Sequence, residues 1–382
     1  MSEKKLKAWQ QAGLIDQAAV ERIRAWEGRN SRPIGLWAMI GLAVLTMGLG
    51  IVSLVAANWD ALPGTMRLAL HLALLVGLSA ALFWYLPRPA AKTHMGEAGL
   101  FLVAVLGLTF FAHIGQVYQT SAPLWQPLLA WLLLFSPLLL LFGQGTAVAS
   151  LWMAGVLGTG WAHADAHGYG EKAAFAQPAL YWGLIVCPLM LIIAGAAWAR
   201  GYSARPPFWR LIEKLAFGTV LAGFTLFILV AGFDTDAKIP LLSVAIHSLA
   251  LFGAATAVAA ARPGRSGRAT ASILITIGAL HLVQALLFQW VSSWRGAWTS
   301  SMFFLLLWGG VGAAAIYAGW RRAFQTAIAL IAFRIILLSF ELGDDLLGSG
   351  AGLILAGLLA LGAVWVTIRI SRRFAPARGA GA

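Results

Sequence analysis

Apolar runs follow one another along most of this chain, and nearly all its charges lie in the gaps between them or at their edges. Each run is about 20 residues long, the length an α-helix needs to cross the ~30 Å hydrocarbon core of a bilayer. Twelve are read, at 34–57, 67–86, 97–115, 124–142, 146–163, 178–199, 214–233, 240–261, 269–290, 298–319, 324–341 and 350–369. The division within 124–163 rests only on Gly143-Gln144-Gly145-Thr146, so one span plus a re-entrant piece is the alternative there. Only 11% of the 382 residues are charged and mean hydropathy is +0.81. A soluble domain carries about 25% charged residues, so this chain cannot clothe a water-facing surface. The expected fold class is all-α, a polytopic transmembrane bundle with a short N-terminal helical hairpin.

The net charge of +13 follows from topology. Lys and Arg alternate between the gaps, with 22 on one side, four (Arg67, Lys172, Lys238, Arg295) on the other, and Arg334 alone within a span. Loops rich in Lys and Arg stay cytoplasmic, which places both termini inside and makes the number of spans even. The expected location is a bacterial inner (cytoplasmic) membrane, multi-pass. Eight acids, among them Asp60, Asp165, Glu341, Asp344 and Asp345, gather at or near the outer side. No basic face is long enough to track a phosphate backbone, so nucleic acid is not an expected partner. Cys187 is the only cysteine, which excludes an intrachain disulfide or a multi-thiolate metal site.

Residues 1–33 are read as a cytoplasmic amphipathic segment, 34–369 as the transmembrane bundle and 370–382 as a cytoplasmic basic tail. In the first, Leu6-Lys7-Ala8-Trp9 begins a short helix that Gly13 ends, and Asp16 caps a second running to about Glu27. Trp9 and Trp26 suit a hairpin resting on the membrane surface. A docking surface for a cytoplasmic protein partner is the alternative.

Four stretches carry a family resemblance. They are Leu6 to Glu27, Ala56-Ala57-Asn58-Trp59-Asp60, Gly115-Gln116-Val117-Tyr118-Gln119-Thr120 with Trp125, and Arg334 through Phe340-Glu341. In them the chain resembles the bacterial polytopic membrane proteins of domain of unknown function 2157. It departs from that family's Gly-Ala-Asp after Gln-Thr, where it has Ser121-Ala122-Pro123. The resemblance implies a membrane protein of this architecture and brings no activity with it.

Combined with the charge-derived topology, those stretches reach one membrane face. Asn58, Trp59 and Asp60 close the first span, Gln116, Tyr118 and Gln119 the third, Trp125 opens the fourth, and Glu341 and Asp344 close the eleventh. The expectation is an outward polar pocket that binds a small polar or cationic solute, with Arg334 deeper in the membrane. Interface anchoring by Trp, Tyr and amides is the alternative. A midplane Arg costs about 2.5–3.5 kcal/mol to insert, so Arg334 should face the bundle and find a partner. Glu341, seven residues on, lies about 10 Å along the axis.

His71, His113, His247 and His281 fall within spans, as a proton path or as interhelical hydrogen bonds. His163-Ala164-Asp165-Ala166-His167 offers a sparse metal pattern, and no metal or other cofactor is expected. There is no Gly-x-x-x-x-Gly-Lys-Ser/Thr, His-Glu-x-x-His or Gly-x-Ser-x-Gly string. The loop after the second span also lacks the Asp-Arg-Gly-Arg-Arg pattern of major-facilitator transporters. Gly155 with Thr159, and Gly350 with Gly352 and Gly357, read as close helix packing. Three functions stay open: solute transport or binding from the outer face, a non-catalytic scaffold or sensor working through the N-terminal helices, and an enzyme using Asp60, Glu341 or Asp344 on a lipid-linked substrate.

Overall fold

The computed structural model describes residue 6, residues 9–30, 62–87, 93–166, 178–231, 241–290 and 297–341, and isolated helical positions within 39–53 and 357–369. The expected first and last spans, 34–57 and 350–369, therefore lie largely outside the described residues. Two compact units are present, Met1–Arg67 and Leu68–Ala382.

In the first unit, Gly13 adopts φ 68° and the Leu14 N–H donates to Trp9 O at 3.0 Å. This left-handed turn ends the first helical segment, because only glycine adopts it without a Cβ clash. Asp16 Oδ1 then accepts from the Ala19 N–H at 2.6 Å and caps α1, Gln17–Asn30. Val20 is buried, whereas Leu14 and Trp26 are exposed.

The second unit is built on α2 (Gly64–Tyr85, whose first turn precedes the unit boundary), α3 (Thr93–Tyr118), α4 (Trp125–Phe142) and α5 (Thr146–Ala164). It continues with α6 (Pro178–Tyr202), α7 (Pro206–Ala231), α8 (Leu241–Ala261), α9 (Arg265–Trp290), α10 (Ala297–Ala318) and α11 (Arg321–Glu341). Among the described residues there is no strand, and seven helices are long and apolar enough to cross a membrane. The chain is all-α and belongs in a bilayer. Its surface says the same: Leu74, Phe83, Leu133, Leu191 and Leu249 are exposed while His281, Gln284 and Arg334 are buried. Water would not tolerate so extensive an apolar surface.

Short turns join α4 to α5, α6 to α7, α8 to α9 and α10 to α11, and all four lie at one end of the bundle. Each makes antiparallel neighbours, which pack along their lengths. Lys and Arg collect at this end, hereafter the basic end.

The region 124–163 is two helices, and charge fixes the turn between them. Glu97 Oε2 accepts from the N–H groups of Gln144 and Gly145, both at 2.9 Å, and Oε1 from that of Val148 at 3.0 Å. A carboxylate thus satisfies donors that α5 would otherwise leave orphaned. From the other side, Arg205 donates to Gly143 O and to Leu140 O, the latter at 2.8 Å. A cation on the last carbonyls of α4 complements that helix's negative end.

Deeper in, Trp131 is fully buried and its indole N–H donates to Ala104 O at 2.8 Å, tying α4 to α3. A Cβ on Gly155 of α5 would fall 2.4 Å from the Trp131 ring. Close packing at Gly155 is therefore real, and its partner is this indole.

Most observed helices match the expected spans closely, with α4, α5 and α8 agreeing to within a residue at each end. The largest difference is α7, which begins at Pro206 rather than 214. Arg210, Glu213 and Lys214 interrupt the apolar run but not the helix, whose first two turns form the basic end.

Candidate functional site

Two polar constellations stand out in the second unit, one inside the bundle and one at its basic end. The first lies toward the opposite end. His281 of α9 is nine residues from Trp290, about 14 Å of helix. His247 of α8 is six residues from Leu241, about 9 Å. Their rings stack with centroids 5.8 Å apart, and Phe224 and Phe227 of α7 meet His281 edge-on. Gln284 follows His281 by three residues and so shares its face of α9. His281 and Gln284 are both 0% exposed.

Neither ring nitrogen of His281, neither polar atom of the Gln284 amide, nor His247 Nδ1 finds a hydrogen-bond partner among the described residues. Buried polar atoms are almost always bonded, and each one left unmet costs about 1–3 kcal/mol. Around them two serines make ordinary interhelical bonds. Ser248 Oγ donates to Gly278 O at 3.3 Å, and Ser300 Oγ donates to Ile228 O at 2.8 Å. A fixed pair of imidazoles with an adjoining carboxamide can accept from and donate to a small guest.

The other two membrane histidines, His71 and His113, lie within hydrogen-bonding distance of each other. His71 Nε2 lies 3.0 Å from Leu106 O, to which it can only donate. In neutral His71, Nδ1 is then the acceptor, and His113 Nδ1, 3.3 Å away, supplies the hydrogen. That pair is an interhelical bond between α2 and α3. The four histidines thus form two pairs, His71 with His113 and His247 with His281.

The second constellation surrounds Glu213, which is only 3% exposed. Its Oε2 accepts from Arg200 Nη1 at 2.5 Å and its Oε1 from Arg262 Nη1. Arg262 Nη2 donates further to Ser266 Oγ at 2.5 Å. Burial pushes the Arg262 guanidinium below its usual value, while Glu213 pulls it back up. A cavity of about 630 Å³ opens beside this group.

The residues expected from sequence to line an outer pocket fare unequally. Asn58, Trp59, Asp60 and Asp344 lie outside the described residues, as does the side chain of Glu341. Gln116, Tyr118 and Gln119 are exposed at the end of α3, and Trp125 is half-buried with its ring 5.1 Å edge-on from His163. Gln119 takes φ 49°, and the Thr120 N–H donates to Gly115 O at 3.1 Å. Gln119 therefore occupies a helix-ending position that normally favours glycine. Arg334 is 2% exposed and turned into the bundle on α11, which packs on α10. Among the described residues, α3 and α4 pack with α5 and not substantially with α11. Of the His163-x-Asp165-x-His167 pattern, His167 lies outside the described residues, and among those described no metal-binding group of three ligands occurs.

Glu97 and Glu213 went unmarked in the sequence reading. One signal was available: beyond the N-terminal segment they are the only two acids on the Lys- and Arg-rich side. Gln284 carried no signal beyond its place one turn after His281.

No curated protein and no solved structure matches the chain. A family model does match, and it covers three of the four stretches that carry the resemblance, leaving Arg334–Glu341 beyond it. Residues 7–148 match the model of the family described as predicted membrane protein, domain of unknown function 2157.

Proposed function

We propose that this membrane protein binds a small polar or cationic solute inside its helical bundle, entered from the outer face, and that transport is the use of that site. The observation that carries the reading is buried His281, stacked on His247, with Gln284 one turn on: no described residue bonds either ring nitrogen of His281 or either polar atom of the Gln284 amide. Intramembrane polar residues of this kind mark solute and ion paths. Imidazole lone pairs and the carboxamide oxygen accept from a cation or an N–H or O–H donor, while the amide N–H groups donate. In the orientation drawn from the Lys and Arg bias, the pair lies in the outer half of the bundle. Gln116, Tyr118, Gln119 and Trp125, with Asn58, Trp59, Asp60, Glu341 and Asp344, then belong to the outer rim, and Arg334 to the deeper path.

Thermal stability of the purified protein against a panel of small polar solutes tests this, with Gln284→Leu run beside wild type. A solute at 100 times its dissociation constant stabilises by about 2.7 kcal/mol. The expected result is a class of solutes that raises the melting temperature of wild type and not of the variant. Without solute, Gln284→Leu should be equal to or more stable than wild type, because an apolar side chain replaces an unmet amide. A panel that is flat for wild type, or equally effective on both, opposes the reading.

The N-terminal unit supports a second reading, in which a cytoplasmic partner docks there. Its favouring observation is the exposure of Leu14 and Trp26 beside a well-capped α1. Deleting residues 1–30 separates the two readings. A scaffold loses its cellular role with membrane insertion intact, whereas a solute-binding bundle keeps its response to the panel.

A further inference from the structure

The cavity at the basic end is lined by four cationic side chains, Arg200, Arg210, Lys214 and Arg262, and by a single carboxylate, Glu213. That leaves a surplus of three positive charges around about 630 Å³. The carboxylate is already committed: each of its oxygens accepts from one guanidinium. Glu213 thereby works as an internal strut that holds two planar donors in place. A guanidinium has more N–H groups than these bonds consume, and its fork matches the oxygens of a phosphate.

The first turn of α9 adds to this. Gly264, Ser266 and Gly267 line the same cavity. A Cβ on Gly267 would sit 1.9 Å from the Arg262 carbonyl oxygen, so glycine alone lets the turn fold back this tightly. The outcome is a helix start, positive by its dipole, set among fixed cations. The start of α5 gives an internal comparison: there a carboxylate from α3 occupies the donors. Phe217 and Trp320 supply an apolar wall. Four cations held this close repel one another, and Arg200 and Arg210 both disfavour the charge on Arg262. An anion in the cavity relieves that repulsion.

We propose that this basic-end cavity is a binding site for a phosphate group, presented either by an anionic lipid headgroup or by a free phosphate-bearing solute. It is independent of the histidine–glutamine site and rests on different residues.

The test uses full-length protein in phosphatidylcholine nanodiscs, with thermal stability as the readout. In one arm phosphatidylglycerol is added to the lipid, and in the other inorganic phosphate or pyrophosphate is titrated. The variant is Arg210→Gln with Lys214→Gln, two exposed cavity residues that do not bond Glu213, so the strut is untouched. Arg210→Lys with wild-type Lys214 is the charge-keeping control. We expect stabilisation in at least one arm, weakened about tenfold or more in the double variant (about 1.4 kcal/mol) and largely kept in the control. A response confined to the lipid arm identifies a headgroup site, and one in the titration arm a site for a free anion. No stabilisation in either arm, or stabilisation equal in wild type and double variant, overturns the proposal.

Discussion

Glu213→Ala should destabilise the protein by about 3–5 kcal/mol, because it strands two guanidinium groups that one carboxylate holds together. Arg200 and Arg262 come from different helix ends, so the loss separates the start of α7 from both the end of α6 and the turn before α9. Burial sets the size of the effect. Glu213 is 3% exposed, and neither solvent nor headgroups replace it without movement. Chemical or thermal unfolding in detergent measures the cost. Glu213→Gln should fall between wild type and alanine, since an amide oxygen still accepts from one arginine. Removing the whole network, with Arg200→Met, Glu213→Leu and Arg262→Met together, should recover most of the loss, as replaced ion-pair networks do. If Glu213→Ala unfolds like wild type, the group is solvated in practice and holds nothing.

Trp131→Ala should cost a similar amount, about 3–5 kcal/mol, for a different reason. Its ring is fully buried, fills the space that Gly155 leaves open, and lies 6.0 Å from the Phe135 ring. Alanine removes those contacts and the indole hydrogen bond that Ala104 O accepts beyond its helical one. In a bilayer, helix association depends on such packing more than on water exclusion, because lipid is as apolar as the core. Gly155→Leu is the converse test. It fills the space from the other side and must displace the indole, so it should destabilise by at least about 1–3 kcal/mol. Trp131→Phe should retain most of the packing and lose mainly the hydrogen bond. Melting curves of the three variants should order them from most to least stable as Trp131→Phe, Gly155→Leu and Trp131→Ala.

Much of the architecture was legible in the sequence, and the reason is physical. A bilayer demands long apolar helices, so hydropathy alone located α4, α5 and α8 to within a residue at each end. Gly13 and Asp16 announced the helical turn and cap of the N-terminal unit through their side-chain chemistry. Burial of Arg334 followed from the cost of a guanidinium in hydrocarbon.

What escaped was whatever depended on two helices meeting. The start of α7 was placed eight residues late because Arg210, Glu213 and Lys214 resemble a loop until Arg200 and Arg262 are seen to surround Glu213. Glu97 and Arg205 lie 48 and 62 residues from the glycines whose backbone they hold. No local pattern records such a partnership. The four membrane histidines were conspicuous singly, but their division into two pairs, one hydrogen-bonded and one stacked, is a property of helix rotation. Gln284 acquires meaning only from the interior it faces.

Whether a solute reaches that interior can be read directly at position 284. In a Cys187→Ser background, which removes the only native thiol, Gln284→Cys is exposed to silver ion and to a small membrane-impermeant thiol reagent in sealed vesicles. Tyr118→Cys, at an exposed site away from the basic end, reports that side of the membrane. The reading predicts that the thiol at 284 is modified from the same side as that at 118. Modification at 118 with none at 284 from either side would mean a sealed apolar interior, and the solute site would be contradicted.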